Sequence, residues 1–239
     1  MIHIQEFTFN SFQTRCSVFW DDSLSCAIVD PGCSSDAEIA ELKSFISAKG
    51  LKPICIMLTH GHFDHVLGVA ELACSYSVPC SAADEDSAGS PACASSPIPV
   101  YMHPADKVTL AGNSYFSQWF GAPLPASFET TDICEGSVIE IGTLRFKVIE
   151  TPGHTPGGVS FYEPVEKVLF SGDSLFAGAI GRTDHPGGDY DQLMKSILEK
   201  LVTLDGSVTV FPGHGPCTDI AREGMTNPFL LPFNEPFEE

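Results

Sequence analysis

The chain has 239 residues, 43% of them hydrophobic, so one folded domain spanning 1–239 is expected and a disordered chain is excluded. Its formal net charge of −19 repels phosphate backbones, which argues against nucleic acid as a partner. No apolar run reaches the ~18 residues of a membrane span. The opening MIHIQEFTFNSFQTRC carries neither a basic leader nor an apolar one, so neither membrane association nor secretion is expected.

Three β-rich runs open the chain: IHIQEFTF, TRCSVFW and SCAIVD. Asp30-Pro31-Gly32 then breaks it. Ser35 or Asp36 caps a helix running to Lys49, with Ile39, Leu42, Phe45 and Ile46 at helical spacing and Gly50 at its end. PICIMLT is a short apolar strand of the kind found in a sheet covered on both faces. DHVLGVAELACSYS reads as the next helix. From 80 to 99 the composition turns to Ser, Ala, Pro and acidic residues, which predicts an exposed, flexible loop. VYMH resumes a strand, and a helix with a soft start follows from Pro104 to Trp119. SVIEIG, LRFKVIE, GVSFYEP and EKVLFSG are four strands at short spacing. DYDQLMKSILEKLVTL is an amphipathic helix and SVTVFPG a final strand. The tail after Gly224 has no assignment. Consecutive strands without intervening helices fit two sheets with helices outside better than a doubly wound sheet.

Nine cysteines, an odd number with no C-x-x-C pair, lie mostly among apolar neighbours. They read as buried, reduced core residues in a cytoplasmic protein.

The densest chemistry is THGHFDH, where His60, His62, Asp64 and His65 fall at a strand-to-helix turn. On a regular strand His60 and His62 share a face, while Asp64 and His65 lie past the turn and aim elsewhere. One short segment thereby supplies ligands to two adjacent metal ions. Imidazole and carboxylate suit zinc or iron, whereas calcium takes oxygen ligands. His154 in TPGHTPGG, Asp173 in LFSGDSLF and His214 in VFPGHGP each follow an apolar strand and are bracketed by Gly or Pro. Seven potential ligands therefore stand at four strand exits, where function commonly resides. No phosphate-loop spacing and no G-x-S-x-G nucleophile elbow is present.

In this order, THGHFDH, TPGHTPGG, SGDSLF and FPGHG resemble the ligand motifs of the metallo-β-lactamase superfamily, and Asp30 of DPG matches its early turn. The resemblance covers nearly the whole chain and is poorest over 80–99. It implies an α/β fold, an αββα four-layer sandwich with mixed sheets and helices outside. It also implies two divalent metal ions, zinc first, with iron or manganese as alternatives. His60, His62 and His154 would hold one ion. Asp64, His65 and His214 would hold the other, with Asp173 and a water shared between them. The zinc β-lactamases of the family carry Cys where this chain has Asp173, so Asp there points away from β-lactams.

LFAGAIGRTDHPGGDYDQLMKSI is similar to the short glyoxalase II-like (hydroxyacylglutathione hydrolase-like) branch. The implied activity is hydrolysis of a small-molecule acyl thioester, with Asp64 or Asp173 receiving the proton. Arg182 either pairs with a substrate carboxylate or forms an ion pair with Asp184 or Asp189. His185 departs from the branch pattern; it either lines the pocket or is incidental, and the second reading is favoured. His3 and His103 read as structural. The chain ends about 25 residues after His214, so a helical glutathione-binding extension is not expected. A mononuclear iron persulfide dioxygenase using His60, His154 and Asp173 is the first alternative. A lactonase or phosphodiesterase on the same ions is the second.

Overall fold

In the computed structural model, which describes residues 1–79, 95–121 and 123–231, the three opening runs form β1 (His3–Phe9), β2 (Thr14–Trp20) and β3 (Ser25–Val29). Helix α1 (Asp36–Lys49) follows. Its N-cap Ser35 accepts a hydrogen bond from the Glu38 N–H, and Gly50 ends it. After β4 (Lys52–Met57) the expected single helix is two short ones, α2 (Phe63–Val66) and α3 (Val69–Ser75). The break falls at Gly68, whose N–H donates to Pro31 O at 2.8 Å. A Cβ there would press on that carbonyl and on Cys33 and Ile39. Close approach to the Asp30 turn therefore outweighs helix continuity.

Strands β5 (Ser77–Pro79) and β6 (Ser95–Pro97) pair with each other. The expected 80–99 loop lies outside the described residues over 80–94, and its end is ordered, with Ile98 buried. Strand β7 (Val100–Met102) leads into a 3₁₀ turn, Pro104–Asp106, and then α4 (Lys107–Phe120). Strands β8 (Thr131–Asp132), β9 (Val138–Ile141), β10 (Leu144–Glu150), β11 (Val159–Glu163) and β12 (Val168–Gly172) come next. A small hairpin of β13 (Leu175–Phe176) and β14 (Ala179–Ile180) precedes α5 (Tyr190–Ser196), which runs on into a π-helical turn, Ile197–Leu201. Strands β15 (Thr209–Pro212) and β16 (Thr218–Asp219) and helix α6 (Ile220–Thr226) finish the described chain.

The strands form two six-stranded mixed sheets, ordered β1-β2-β3-β4-β7-β8 and β16-β15-β12-β11-β10-β9. Side-chain alternation sorts three apolar layers. In β2, Cys16 and Val18 face α1 and α3, while Phe19 faces the other sheet. In β3, Cys26 and Ile28 face out and Ala27 and Val29 face in. In β12, Phe170 joins the layer between the sheets and Leu169 the layer under α5. Strands buried on both faces explain the continuous apolar runs in the sequence. Phe19 bridges the sheets, with ring centroids 4.4 Å from Phe146 and 5.3 Å from Phe170. The expected αββα layering follows from these three clusters.

Among the described cysteines all are free. Cys16, Cys26, Cys33 and Cys55 are buried as expected, but Cys74 and Cys134 are exposed and Cys217 is half-buried. Among the described residues no helix is long and apolar enough to cross a membrane.

Candidate metal centre

The site forms where the two sheets meet at one edge. Val159 N–H donates to Thr59 O at 2.8 Å, Arg15 N–H to Gly213 O at 2.8 Å, and Gly213 N–H to Gly172 O at 2.9 Å. These cross-connections bring the exits of β4, β10, β12 and β15 to one place. His60 and His62 do not sit on a regular strand, because β4 stops at Met57; they stand in the irregular loop between β4 and α2. Asp64 and His65 occupy the first turn of α2, past the bend as expected.

All seven expected residues converge. His60, His62 and His154 present ring nitrogens within 4.8 Å of one another, as do the donor atoms of Asp64, His65 and His214. Asp173 lies between the groups: its carboxylate is 3.5 Å from His154 Nε2, from His65 Nε2 and from His214 Nε2. Asp30, His60 and His65 form a third cluster. There, however, Asp30 already accepts from Thr59 N–H at 2.8 Å and Thr59 Oγ1 at 2.6 Å, and contacts His65 Nδ1 at 3.1 Å. Asp30 is therefore an anchor for His65. Its backbone at φ 46° lies in the left-handed region, unusual for a residue with a side chain.

Several of the donors are held from behind. Thr14 Oγ1 donates to Asp64 Oδ2 at 2.8 Å, Arg182 O lies 2.7 Å from His154 Nδ1, and Phe12 O lies 3.1 Å from His214 Nδ1. Such contacts fix ring orientation and leave Nε2 facing the cluster. Gly213 is required by close approach, since a Cβ there would collide with Asp173 Oδ1 and His65.

Electrostatics divide the site. Burial, reinforced by neighbouring histidines, pushes His60 and His62 well below the usual imidazole range, and burial also lowers His154. These three are neutral, with lone pairs to offer. Burial also opposes charge on His65 and His214, yet Asp64 and Asp173 outweigh it and hold them up at about 9 and about 11. Burial alone would raise the two carboxyls. His65 and His214 instead hold Asp64 down at about 2 and Asp173 well below the carboxylate range. Among the described residues three buried side-chain atoms have no hydrogen-bond partner, Asn113 Oδ1 and, within the cluster, His60 Nε2 and Asp173 Oδ1. Orphaned acceptors facing neutral imidazoles and carboxylates fit a divalent cation of the zinc or iron class.

A cavity of ≈ 340 Å³ opens onto the cluster, lined by His62, His154, Asp173 and His214 and by the aromatics Phe12, Phe63, Tyr115, Trp119 and Phe120. Arg182 reaches the rim, where Nε and Nη2 donate to the two Asp184 oxygens at 2.8 and 3.1 Å. Of the alternatives raised for Arg182, the ion pair to Asp184 is the one present. His185 is not incidental: it lines the cavity, with its ring 4.9 Å from those of both His62 and His154. His103 is structural as expected, capping the 3₁₀ turn and contacting Glu150 Oε1 at 3.1 Å.

Sequence reasoning missed Asp106. Fully buried, it accepts from Gly157 N–H at 2.7 Å, from Gly61 N–H, from Thr155 Oγ1 at 3.1 Å and from Thr109 Oγ1 at 3.2 Å. It thus ties the His60–His62 loop to the His154 loop. Asn113, one face further along α4, donates to Gly61 O at 2.9 Å. The only sequence signal was an Asp two residues after Pro104 at a helix start.

The metallo-beta-lactamase superfamily profile matches residues 10–214. Hydroxyacylglutathione hydrolase GloC of Haemophilus influenzae is 33% identical over 231 residues, which span 96% of this chain and 98% of that protein. The B3 metallo-beta-lactamase BLEG-1 superposes with a TM-score of 0.80 at 35% identity, covering 95% of this chain and 99% of that one. TTHA1623, solved in a di-iron-bound form, superposes with a TM-score of 0.76 at 34% identity, covering 95% and 100%. Sequence, fold and converged His/Asp cluster agree, and the chain belongs to the metallo-beta-lactamase superfamily.

Proposed function

We propose that the protein is a binuclear metallohydrolase that cleaves a small acyl thioester, as the name of its relative GloC suggests. The observation that carries this reading is Asp173, whose carboxylate touches donors of both histidine groups at once. His60, His62 and His154 would hold one ion and Asp64, His65 and His214 the other, with Asp173 shared. Divalent ions there would supply a Lewis acid for the acyl carbonyl and a nucleophilic water at neutral pH. Asp64, which accepts from Thr14 Oγ1, or Asp173 would receive the proton released. A thiol ionises near ~8.5, so the leaving group departs without a dedicated acid. Arg182 would take a substrate carboxylate by exchanging it for Asp184. Both partners of that pair are more than half exposed, so the exchange costs little.

The likeness to BLEG-1 favours a second reading, β-lactam hydrolysis on the same site. Purified protein, with zinc, iron and manganese quantified, would be assayed against S-lactoylglutathione and a chromogenic cephalosporin. Oxygen uptake with glutathione persulfide would be followed in parallel. Thioester cleavage well above cephalosporin cleavage supports the proposal. Cephalosporin turnover without thioester turnover overturns it, as does persulfide-dependent oxygen uptake without thioester turnover. Arg182→Ala is expected to raise KM for the glutathione thioester about 2- to 5-fold with kcat little changed. An unchanged KM assigns Arg182 to its pair with Asp184 alone.

A further inference from the structure

The chemistry around the cluster is lopsided. Among the described residues lining the cavity, Arg182 is the only lysine or arginine. The opposite kind of surface is abundant. Trp119 is 73% exposed, Tyr115 52% and Phe120 49%, all on the C-terminal half of α4. Phe120 packs on Phe12 and Phe63 at ring distances of 5.4 and 6.2 Å, which carries the aromatic wall down to the loop bearing His62. Large aromatics left exposed beside a polar centre mark a binding surface, because covering them releases water from apolar area. A second cavity of ≈ 350 Å³ shares Tyr115 and Pro186 with the first. Val108, Thr109, Gly112 and Pro156 also line it, and none of its described lining residues is charged. A Cβ built on Gly112 meets nothing within 4 Å, so the helix leaves that space open.

We infer that the acyl half of the substrate is a bulky apolar group. It lies against Trp119, Tyr115 and Phe120 and extends past Tyr115 into the cavity beside Gly112. This rests on the thioesterase reading and deepens it. Among the described residues lining the cavity outside the metal cluster, Arg182 is the one suited to the carboxylates of a charged thiol carrier, which leaves the uncharged wall to the acyl group. A three-carbon hydroxyacyl group would leave most of this surface wet.

The test is an acyl series (lactoyl, butanoyl, octanoyl and benzoyl) on glutathione and on the uncharged carrier N-acetylcysteamine. On both carriers octanoyl is expected to exceed lactoyl in kcat/KM by about tenfold or more, in line with burial of added methylenes. Trp119→Ala should pull the octanoyl-to-lactoyl ratio towards one. Gly112→Leu, which fills the second cavity without cost to helix propensity, should lower the octanoyl-to-butanoyl ratio. Equal or better turnover of lactoyl overturns the inference, as does a uniform loss on all substrates in both variants. A preference that follows the carrier and ignores the acyl group overturns it too. Binding separates this inference from the thioesterase reading. If no thioester is cleaved, quenching of Trp119 fluorescence by S-octylglutathione at concentrations about tenfold below those needed for S-methylglutathione, abolished in Gly112→Leu, retains the apolar subsite while the thioesterase reading falls. Equal binding of the two thioethers rejects the subsite.

Discussion

His65 shows how single side chains acquire a role here. Its Nδ1 is fixed by Asp30, and its Nε2 faces Asp64, Asp173 and His214 at 3.6, 3.5 and 3.3 Å. The rings of His65, His154 and His214 are each aimed by a partner far away in sequence, Asp30, Arg182 and Phe12 respectively. His60 and His62 carry the group that is neutral and ready for a cation. Replacing both by Ala is therefore expected to abolish one of two bound ions and most hydrolytic activity. Elemental analysis of the purified variant checks this, and full metal content with full activity would refute the assignment. The loss should also lower Tm, because an ion that binds only the folded chain adds to its stability.

At the scale of elements, α4 and the 3₁₀ turn that precedes it have two functions. Asp106 and Asn113 grip the loops that carry His60, His62 and His154, while Tyr115, Trp119 and Phe120 face the cavity. Burial pushes the Asp106 carboxyl up, against the hydrogen bonds that Gly157, Gly61, Thr155 and Thr109 donate to it. Asp106→Ala would strand the buried Gly61 and Gly157 N–H groups. Each such group costs ~1–3 kcal/mol, so a clear fall in the urea midpoint is expected. Ion occupancy should fall with it, since both histidine loops lose their common anchor. A variant with normal occupancy and a normal midpoint would show that the loops hold themselves. Asp106→Asn, which keeps one acceptor oxygen, should fall between the two.

Across the whole molecule, the rim far from the cluster is pinned by Asp21, at the end of the first sheet's β2. Asp21 accepts from Ser23 N–H and Oγ at 2.9 and 2.6 Å, and from Thr143 N–H and Oγ1, at the β9–β10 turn of the second sheet, at 2.6 and 2.7 Å. Burial alone would raise its carboxyl, but these bonds hold it below the ordinary range. A depressed folded-state value contributes stability that is complete above the unfolded value of about 4 and is lost as pH falls below it. Asp21→Asn should lower Tm at pH 7 and flatten the fall in Tm between about pH 4 and pH 2. A variant whose acid limb matches the parent would refute this. Metal binding has the same pH sense. In the ion-free chain His65 and His214 hold protons, at about 9 and about 11, that a cation must displace. The drop in Tm on chelation is therefore expected to be larger at pH 8 than at pH 6.

The converging cluster was legible in the sequence because four of its members crowd one strand-to-helix turn and His154, Asp173 and His214 each follow an apolar strand between Gly or Pro residues, a purely local pattern. The two-sheet arrangement was legible for a similar reason: runs such as SCAIV and VLFSG are buried on both faces, and only a covered sheet makes such runs. Local pattern has no reach across the chain. It ran α2 and α3 together because the contact that parts them lies at Pro31, and it passed over Asp106 because three of its four partners lie in two distant loops, at Gly61 and at Thr155 and Gly157. It left Arg182 open between two partners and set His185 aside, since only the fold of the 181–189 loop places one beside Asp184 and the other against His154. The aromatic wall likewise exists only once α4 is laid beside Phe12 and Phe63, residues about 50 to 110 positions earlier that meet it in the folded chain. Propensity and periodicity act between neighbours along the chain; hydrogen bonds to a buried carboxylate and ring-on-ring packing act between neighbours in space, and those the tertiary structure alone decides.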